Sequence, residues 1–573
     1  MGRVSDRGAR PSGRGRRRAA GTRSAVPVAT ASRAQAPARV LYVLAHPGDA
    51  LTATGSELFR SLNEPGRPVA VVCLARSGAA ERDPLLHVLG RGGSWQRTEE
   101  ELADGQVLDV FALAEAPHIE VCFADPGEAP AQGAPSGLVD LVVSVLEIFT
   151  PGTVCTLDPD PGHTGWSEHT GAVRPDHPEH SAVAQATLEA VHRAVAFGAE
   201  PMAVECFRTP VSCEAGAPPG PAVVRYPGRG VALTRGTDGT LTAYAALGGG
   251  VARWTERTPG GPDWSERELL PAPELLPVLA VTQTPQGWVH LVSLRRTPDP
   301  DGGASVEVMH ATQYQSGRPL GDWRSLGNPH GRHTDRGREL GVPAVVADAA
   351  GGLHVFVRNF SGYVTCRSQR PDGKWTPWAD LRGPQVQDGM AVVLDDRGRP
   401  EVFAPSPGGV QRWRRDDAGV MRHTARERLP LATAPGTALG ALLTGPGRIT
   451  VYGCDVDRST LWAHRTDGAA TSIGTAGGGG VSALRMAIDG YDCTVLLQRS
   501  AEGAVAVGAF ATEQEHGGLW WERTGGTGVR EPAGAVDAHG RLVIASLDGD
   551  GRLAVARQDV TVSGLALGGW VTA

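Results

Sequence analysis

Residues 38–55 read ARVLYVLAHPGDALTATG, and this stretch decides the fold. Arg39 to Ala45 form a nearly unbroken apolar run that stops at a polar corner, His46-Pro47-Gly48-Asp49. An amphipathic strand would alternate apolar and polar residues. A continuous run is what a strand buried on both faces requires, as in a parallel sheet covered by helices.

Working outward, the same kind of run recurs at PVAVVCLA (68–75), HIEVCFA (118–124), TVCTLDP (153–159) and AVECFRT (203–209). Between these runs the spacing predicts helices over 50–63, 95–114, 138–149 and 180–197, with a loop rich in Arg, Gly and Asp at 76–94. In the second of these helices Glu99, Glu100 and Glu101 would sit in early turns, where the helix dipole favours acids. Repeated strand–helix–strand order implies an α/β, Rossmann-like parallel sheet domain over 38–214.

The pattern changes at AGAPPGPAVV (215–224), a Pro/Gly linker. Beyond it helical periodicity fades, and short strands separated by Gly and Asp turns repeat every 45–50 residues or so. Unit starts fall near 222, 274, 341, 388, 436, 480 and 528. That period is the length of a four-stranded blade, so 215–573 is expected to be an all-β propeller of seven blades, with six or eight as alternatives. Tryptophans recur at matching places: Trp254, Trp323, Trp375, Trp378, Trp413, Trp462 and Trp521. They suit blade-to-blade packing first, and the stacking of sugars on aromatic faces as the alternative.

Composition sets limits on the rest. The 573 residues exceed one ordinary domain. A net charge of −7 is mild and argues against nucleic acid as the main partner. Residues 1–37 are Arg-rich, lack aromatics and apolar periodicity, and read as a disordered basic arm. Arg16, Arg17 and Arg18 could open a targeting signal, but no apolar run of sufficient length follows them. No stretch is apolar enough for a membrane span. The eight cysteines contain no CxxC. Cys73, Cys122 and Cys155 read as buried strand residues, and Cys206 and Cys213 could pair in an oxidising compartment. Localisation stays open between secreted and cytoplasmic.

Two constellations carry chemistry. His46 and Asp49 lie three apart just after the first strand, at the end where open α/β sheets bind ligands, and both residue types are zinc ligands. A capped strand-to-helix loop would look the same. The second constellation is Asp176-His177-Pro178-Glu179-His180, where two histidines three apart open a helix. The preceding loop adds Asp158, Asp160, His163, Glu168 and His169.

Together, AHPGD (45–49) and HPEH (177–180) resemble the AHPDD and HPDH motifs of the LmbE/PIG-L family of N-acetylglucosaminyl deacetylases. WQRTEE (95–100) is similar to that family's Arg- and Glu-bearing helix, and TLDPDP (156–161) to its loop before the second motif. The resemblance covers about 38–210 and leaves out the propeller, which looks like fucose-lectin or tectonin modules. It implies Zn²⁺, or another divalent metal, held by His46, Asp49 and His180. His177 would stabilise the developing oxyanion. Arg97, Asp158 and His163 would contact substrate. The family's general base is the first Asp of AHPDD, and here that position is Gly48; Glu179 or Asp176 could substitute. The resemblance thus implies a zinc-dependent amide hydrolase acting on an N-acetylated amino sugar or glycoconjugate. The alternative is an inactive relative that binds carbohydrate through its propeller. A glycan or small molecule is the expected partner in both cases.

Overall fold

The structure is a computed structural model and describes residues 39–102, 105–124, 136–160, 177–209, 222–272, 274–298, 304–313, 319–331, 337, 339–383, 385–416 and 418–573. The basic arm, His163, Glu168, His169, Asp176 and Cys213 lie outside these residues.

The N-terminal domain is an eight-stranded sheet. Its strands are β1 (Arg39–Leu44), β2 (Val69–Cys73), β3 (Trp95–Glu101), β4 (Val107–Leu113), β5 (Ala116–Ala124), β6 (Pro151–Leu157), β7 (Ala203–Arg208) and β8 (Val223–Val224), in the spatial order β3-β4-β5-β2-β1-β6-β7-β8. The central five, β5-β2-β1-β6-β7, are parallel. They are the five apolar runs of the sequence, and β2 and β6 are buried along their full length. Antiparallel strands close both edges. Cys73, Cys122, Cys155 and Cys206 are buried in these strands.

Helices α1 (Asp49–Thr52), α2 (Gly55–Asn63), α3 (Ala79–Gly90), α4 (Ser136–Phe149) and α5 (Pro178–Ala196) cover the sheet. Three expectations need correction. The predicted 50–63 helix is interrupted at Ala53 and Thr54, and Thr54 donates its hydroxyl back to Ala50 O. The predicted loop at 76–94 contains α3, because Leu85 and Leu89, four apart, bury one face of a turn-rich composition. The predicted 95–114 helix is instead the hairpin β3–β4, paired from Trp95↔Leu113 to Glu101↔Val107. Its turn contains Gly105 at φ 81°, a backbone a helix cannot use. Leu108 and Val110 follow strand alternation, and Leu113 is buried out of phase, beyond a register shift at Ala112/Leu113. The three glutamates therefore line an exposed edge strand.

The remaining strands form seven four-stranded antiparallel sheets, at 232–271, 280–327, 344–380, 391–423, 440–472, 481–527 and 533–572. The first strand of each contacts the first strand of the next, and the seventh meets the first, so the sheets close a seven-bladed propeller with those strands innermost. Each blade comes from one continuous segment, so no strand is shared across the closure. Packing seals it instead: Leu241 and Ala243 of blade 1 share a core with Val543 and Ala545 of blade 7. Trp254 and Trp413 are fully buried; Trp323, Trp375, Trp378, Trp462 and Trp521 pack against blade cores. These recurrent tryptophans are structural.

The sheet domain and the propeller share one apolar core, which runs from β1 and β2 to Leu276, Val278, Leu294, Leu340 and Val355. Val223–Val224, inside the predicted linker, is the edge strand that leads the chain from one to the other.

A candidate metal centre at the end of the first strand

The chain leaves β1, pairs β2 on one side and later pairs β6 on the other, which makes the crevice beyond β1 and β6 a topological switch point. His46 and Asp49 enter it from the turn after β1. His177 and His180 enter it from the start of α5, where His177 is the N-cap and Pro178 fixes the first helical turn. The local sequence explains both placements: α1 begins at Asp49, whose Oδ2 accepts the His46 backbone N–H at 2.8 Å and folds the corner back on itself.

His46, Asp49 and His180 meet as one group. His46 Nδ1 lies 3.4 Å from His180 Nε2, His180 Nε2 lies 3.1 Å from Asp49 Oδ1, and His46 Nδ1 lies 3.8 Å from Asp49 Oδ2. Tetrahedral zinc with bonds of about 2.0–2.2 Å needs ligand–ligand edges of roughly 3.3–3.6 Å, so this donor set fits such an ion. Asp49 and His180 are buried and His46 is half-buried, which leaves approach from one side.

Glu179 Oε2 accepts from His46 Nε2 at 2.7 Å. That bond points Nδ1 of the same ring at His180 and Asp49, the arrangement by which a carboxylate fixes the tautomer of a metal-binding imidazole. Glu179 Oε2 is also 3.4 Å from His177 Nδ1. His177 is exposed, its ring centroid 5.2 Å from that of His46, on the open side of the group. His46, His177 and Glu179 form a second, overlapping set of ligand-type atoms. Thr209 Oγ1 is 3.5 Å from His180 Nδ1, a neighbour that nothing in the sequence marks.

Gly48 has a helical φ of −63° and open space where a Cβ would stand. The missing carboxylate is therefore a difference of side chain alone.

Two residues expected at the substrate lie elsewhere. Arg97 is on β3, four strand spacings from β1, or about 19 Å. It pairs there with Asp109 at 2.6 Å. Asp158 is 1% exposed, under Arg225 Nε at 3.2 Å and Arg208. Burial pushes its carboxyl up, opposed by those two arginines. Arg208 ends β7 and Arg225 follows β8, where the chain passes from the sheet domain to the propeller, so Asp158 belongs to that joint.

The family model PIG-L, described as GlcNAc-PI de-N-acetylase, matches residues 41–191. Residues 41–191 are a PIG-L domain. Both histidine motifs fall inside it, and the propeller falls outside. Among solved structures the chain is similar to AofleA from Arthrobotrys oligospora, at 14% identity over 52% of this chain and 85% of that one, with a TM-score of 0.37. It is also similar to the lectin of Aleuria aurantia, titled a six-bladed β-propeller with a novel fucose recognition mode, at 15% identity over 52% and 95%, TM-score 0.33. A third similarity is to the Hadza microbial sialidase Hz136, at 13% identity over 50% and 66%, TM-score 0.35. No curated protein matches the chain.

Proposed function

We propose that the PIG-L domain removes the N-acetyl group of an amino sugar or glycoconjugate at a divalent metal, zinc suiting the donor set best, held by His46, Asp49 and His180. The observation that carries this reading is the convergence of those three side chains, from two distant motifs, on edges of 3.1–3.8 Å. An ion held there supplies Lewis acidity and brings the pKa of water toward about 7.

The chain's own residues divide the remaining work. Glu179 keeps the His46 ring in its liganding tautomer. His177, on the open side, is placed to donate to the oxygen of the scissile amide as charge develops there. The two carboxylates in contact with these imidazoles, Asp49 and Glu179, are both engaged by them, so neither is free to act as the base that position 48 lacks. Loss of a general base costs about 10²–10⁴ in rate, and the natural chain is proposed to be a slow hydrolase. Gly48 also favours a second reading, an inactive relative that serves as a binding protein.

Amine release from N-acetylglucosamine compounds by zinc-loaded protein separates them. Slow turnover that His180→Ala abolishes, raised about 10²–10⁴-fold by Gly48→Asp, supports the hydrolase. An inert natural chain that gains turnover in Gly48→Asp supports the binding protein. Inactivity of all three proteins removes the substrate class.

A further inference from the structure

Blade 6 carries two aromatic side chains that the propeller does not use for packing. Trp520 is 88% exposed and Tyr491 is 72% exposed. Both line one groove, with a cavity volume of about 470 Å³, within the range of about 300–1,000 Å³ typical of small-ligand clefts. One wall is built from strands Val481–Ile488, Tyr491–Arg499, Ala504–Ala511 and Glu522–Thr527 of blade 6. Gly564 and Leu565 of blade 7 supply the other. The walls are tied together: Asp489 Oδ2 accepts from Ser563 Oγ at 2.8 Å and from the Gly564 N–H at 2.7 Å. The groove is therefore preformed.

Its place in the molecule follows from strand direction. Gly503, in the turn between the second and third strands of the blade, packs against Arg60 of α2. That turn faces the PIG-L domain. The turn at Asp489 and Gly490, and the connection carrying Trp520, are at the opposite ends of the same strands. The groove thus opens on the propeller face turned away from the PIG-L domain.

The lining is chemically one-sided. It includes the carboxylates of Asp489 and Glu522, and among its described residues no Lys, Arg or His. Arg485 and Arg523, on the same strands, are paired with Asp492 and Glu502. Indole and phenol faces bind apolar C–H surfaces and, through their quadrupole, cations. Carboxylates repel acidic ligands and attract ammonium groups. A pyranose ring that bears a protonated amine has both features: an apolar C–H face and a positive charge.

We propose that this groove binds amine-bearing, de-N-acetylated sugar residues, with Trp520 and Tyr491 as the stacking faces and Glu522 and Asp489 as the charge partners. The link to hydrolysis rests on the reading above, since such residues are the product of de-N-acetylation. A domain that grips product residues on one face of the propeller would hold the chain on a partly deacetylated glycan while the metal centre works elsewhere.

Titration calorimetry of the full chain at pH 6, where the amine is protonated, tests this with two probes: a glucosamine tetramer and its fully N-acetylated counterpart. The amine tetramer is expected to bind about 10-fold tighter or more, from the added cation–π and ion-pair contacts. Trp520→Ala is expected to lose binding of both, and Glu522→Gln to keep binding while reducing the preference to about 2-fold or less. Equal binding of the two tetramers, preference for the acetylated one, or indifference to Trp520→Ala overturns the proposal. So does binding of neither, which would leave a protein partner for the exposed aromatics. Hydrolysis is not needed for this readout. A chain with an inert metal centre that still selects the amine tetramer refutes the deacetylase and keeps the groove; the converse result does the opposite.

Discussion

At the scale of single residues, the candidate metal centre turns on two substitutions within its motifs. Glu179 spends its carboxylate on His46 Nε2 at 2.7 Å. Outer partners of this kind are worth about 10–100-fold in metal affinity. Glu179→Gln is expected to weaken zinc binding by that factor, measured by competition with a chromophoric chelator, and an unchanged affinity would remove Glu179 from that role. Gly48 is the opposite case. It costs nothing structurally to refill: φ is −63° and no atom lies within 4 Å of an added Cβ. Gly48→Asp is therefore expected to leave the thermal midpoint unchanged. A clear fall in the midpoint would show that the site had closed around glycine and could not take the carboxylate back.

At the scale of elements, buried histidines give blade 2 an acid-sensitive seam. His290 and His310, on adjacent strands, stack at 5.4 Å with Nδ1 to Nε2 at 3.2 Å. Burial lowers His290 to about 3, with His310 adding to the effect, and lowers His310 to about 4, with Arg324 adding to it. Both are thus neutral in the folded blade when an unfolded chain, with histidines near 6.5, already takes up protons. Stability is full above about pH 6.5 and falls as pH drops toward 4 and 3, by an amount on the order of a few kcal/mol. Urea denaturation across pH 7 to 4 is expected to show this slope, and His290→Phe to flatten it; the same slope in the variant would place its origin elsewhere. Such pairings were not legible beforehand, because they depend on cross-strand register. What was legible followed from uninterrupted burial. The five apolar runs became the five parallel strands, and repeat spacing gave seven blades. Where burial is one-sided, the periods of helix and strand compete. At 95–114 the helical reading gave way to a hairpin, with Gly105 at positive φ between its strands. The meeting of His46, Asp49 and His180 was legible because they sit in two short motifs. The aromatic groove was not, because the pair LWW at 519–521 holds one packed tryptophan and one exposed one, and only the blade shows which is which.

At the scale of the whole molecule, the propeller is built into the PIG-L domain rather than appended to it. Arg225, 1% exposed, reaches Asp158 at the end of β6, Asp388 before blade 4 at 3.2 Å, and Leu340 O at 2.8 Å. Arg208, at the end of β7, and Arg358 of blade 3 share Asp388, and Arg358 also pairs with Glu339 at 2.7 Å. Three arginines thus face three buried carboxylates in a joint between the two halves. Elsewhere along that joint Glu57 of α2 pairs with Arg499, and Glu205 of β7 with Arg530. Replacing such a network by apolar residues could be neutral, but removing one member leaves buried charge uncompensated, at about 3–5 kcal/mol. Arg225→Ala is expected to destabilise the full chain by that amount in a single urea transition, because the two halves share one core. Two transitions, with only one displaced, would mean that they unfold independently. Acid gives the same joint a second signature. Burial alone would raise Asp388, but Arg358, Arg225 and Arg208 outweigh it and hold the carboxyl at about 2. A depressed acid contributes its stability above its unfolded value, near 4, and loses it as pH falls through about 2. The stability gap between the natural chain and Asp388→Asn is therefore expected to be widest at neutral pH and to close between about pH 4 and 2. A gap that stayed constant through that range would mean that Asp388 acts through shape and not through charge.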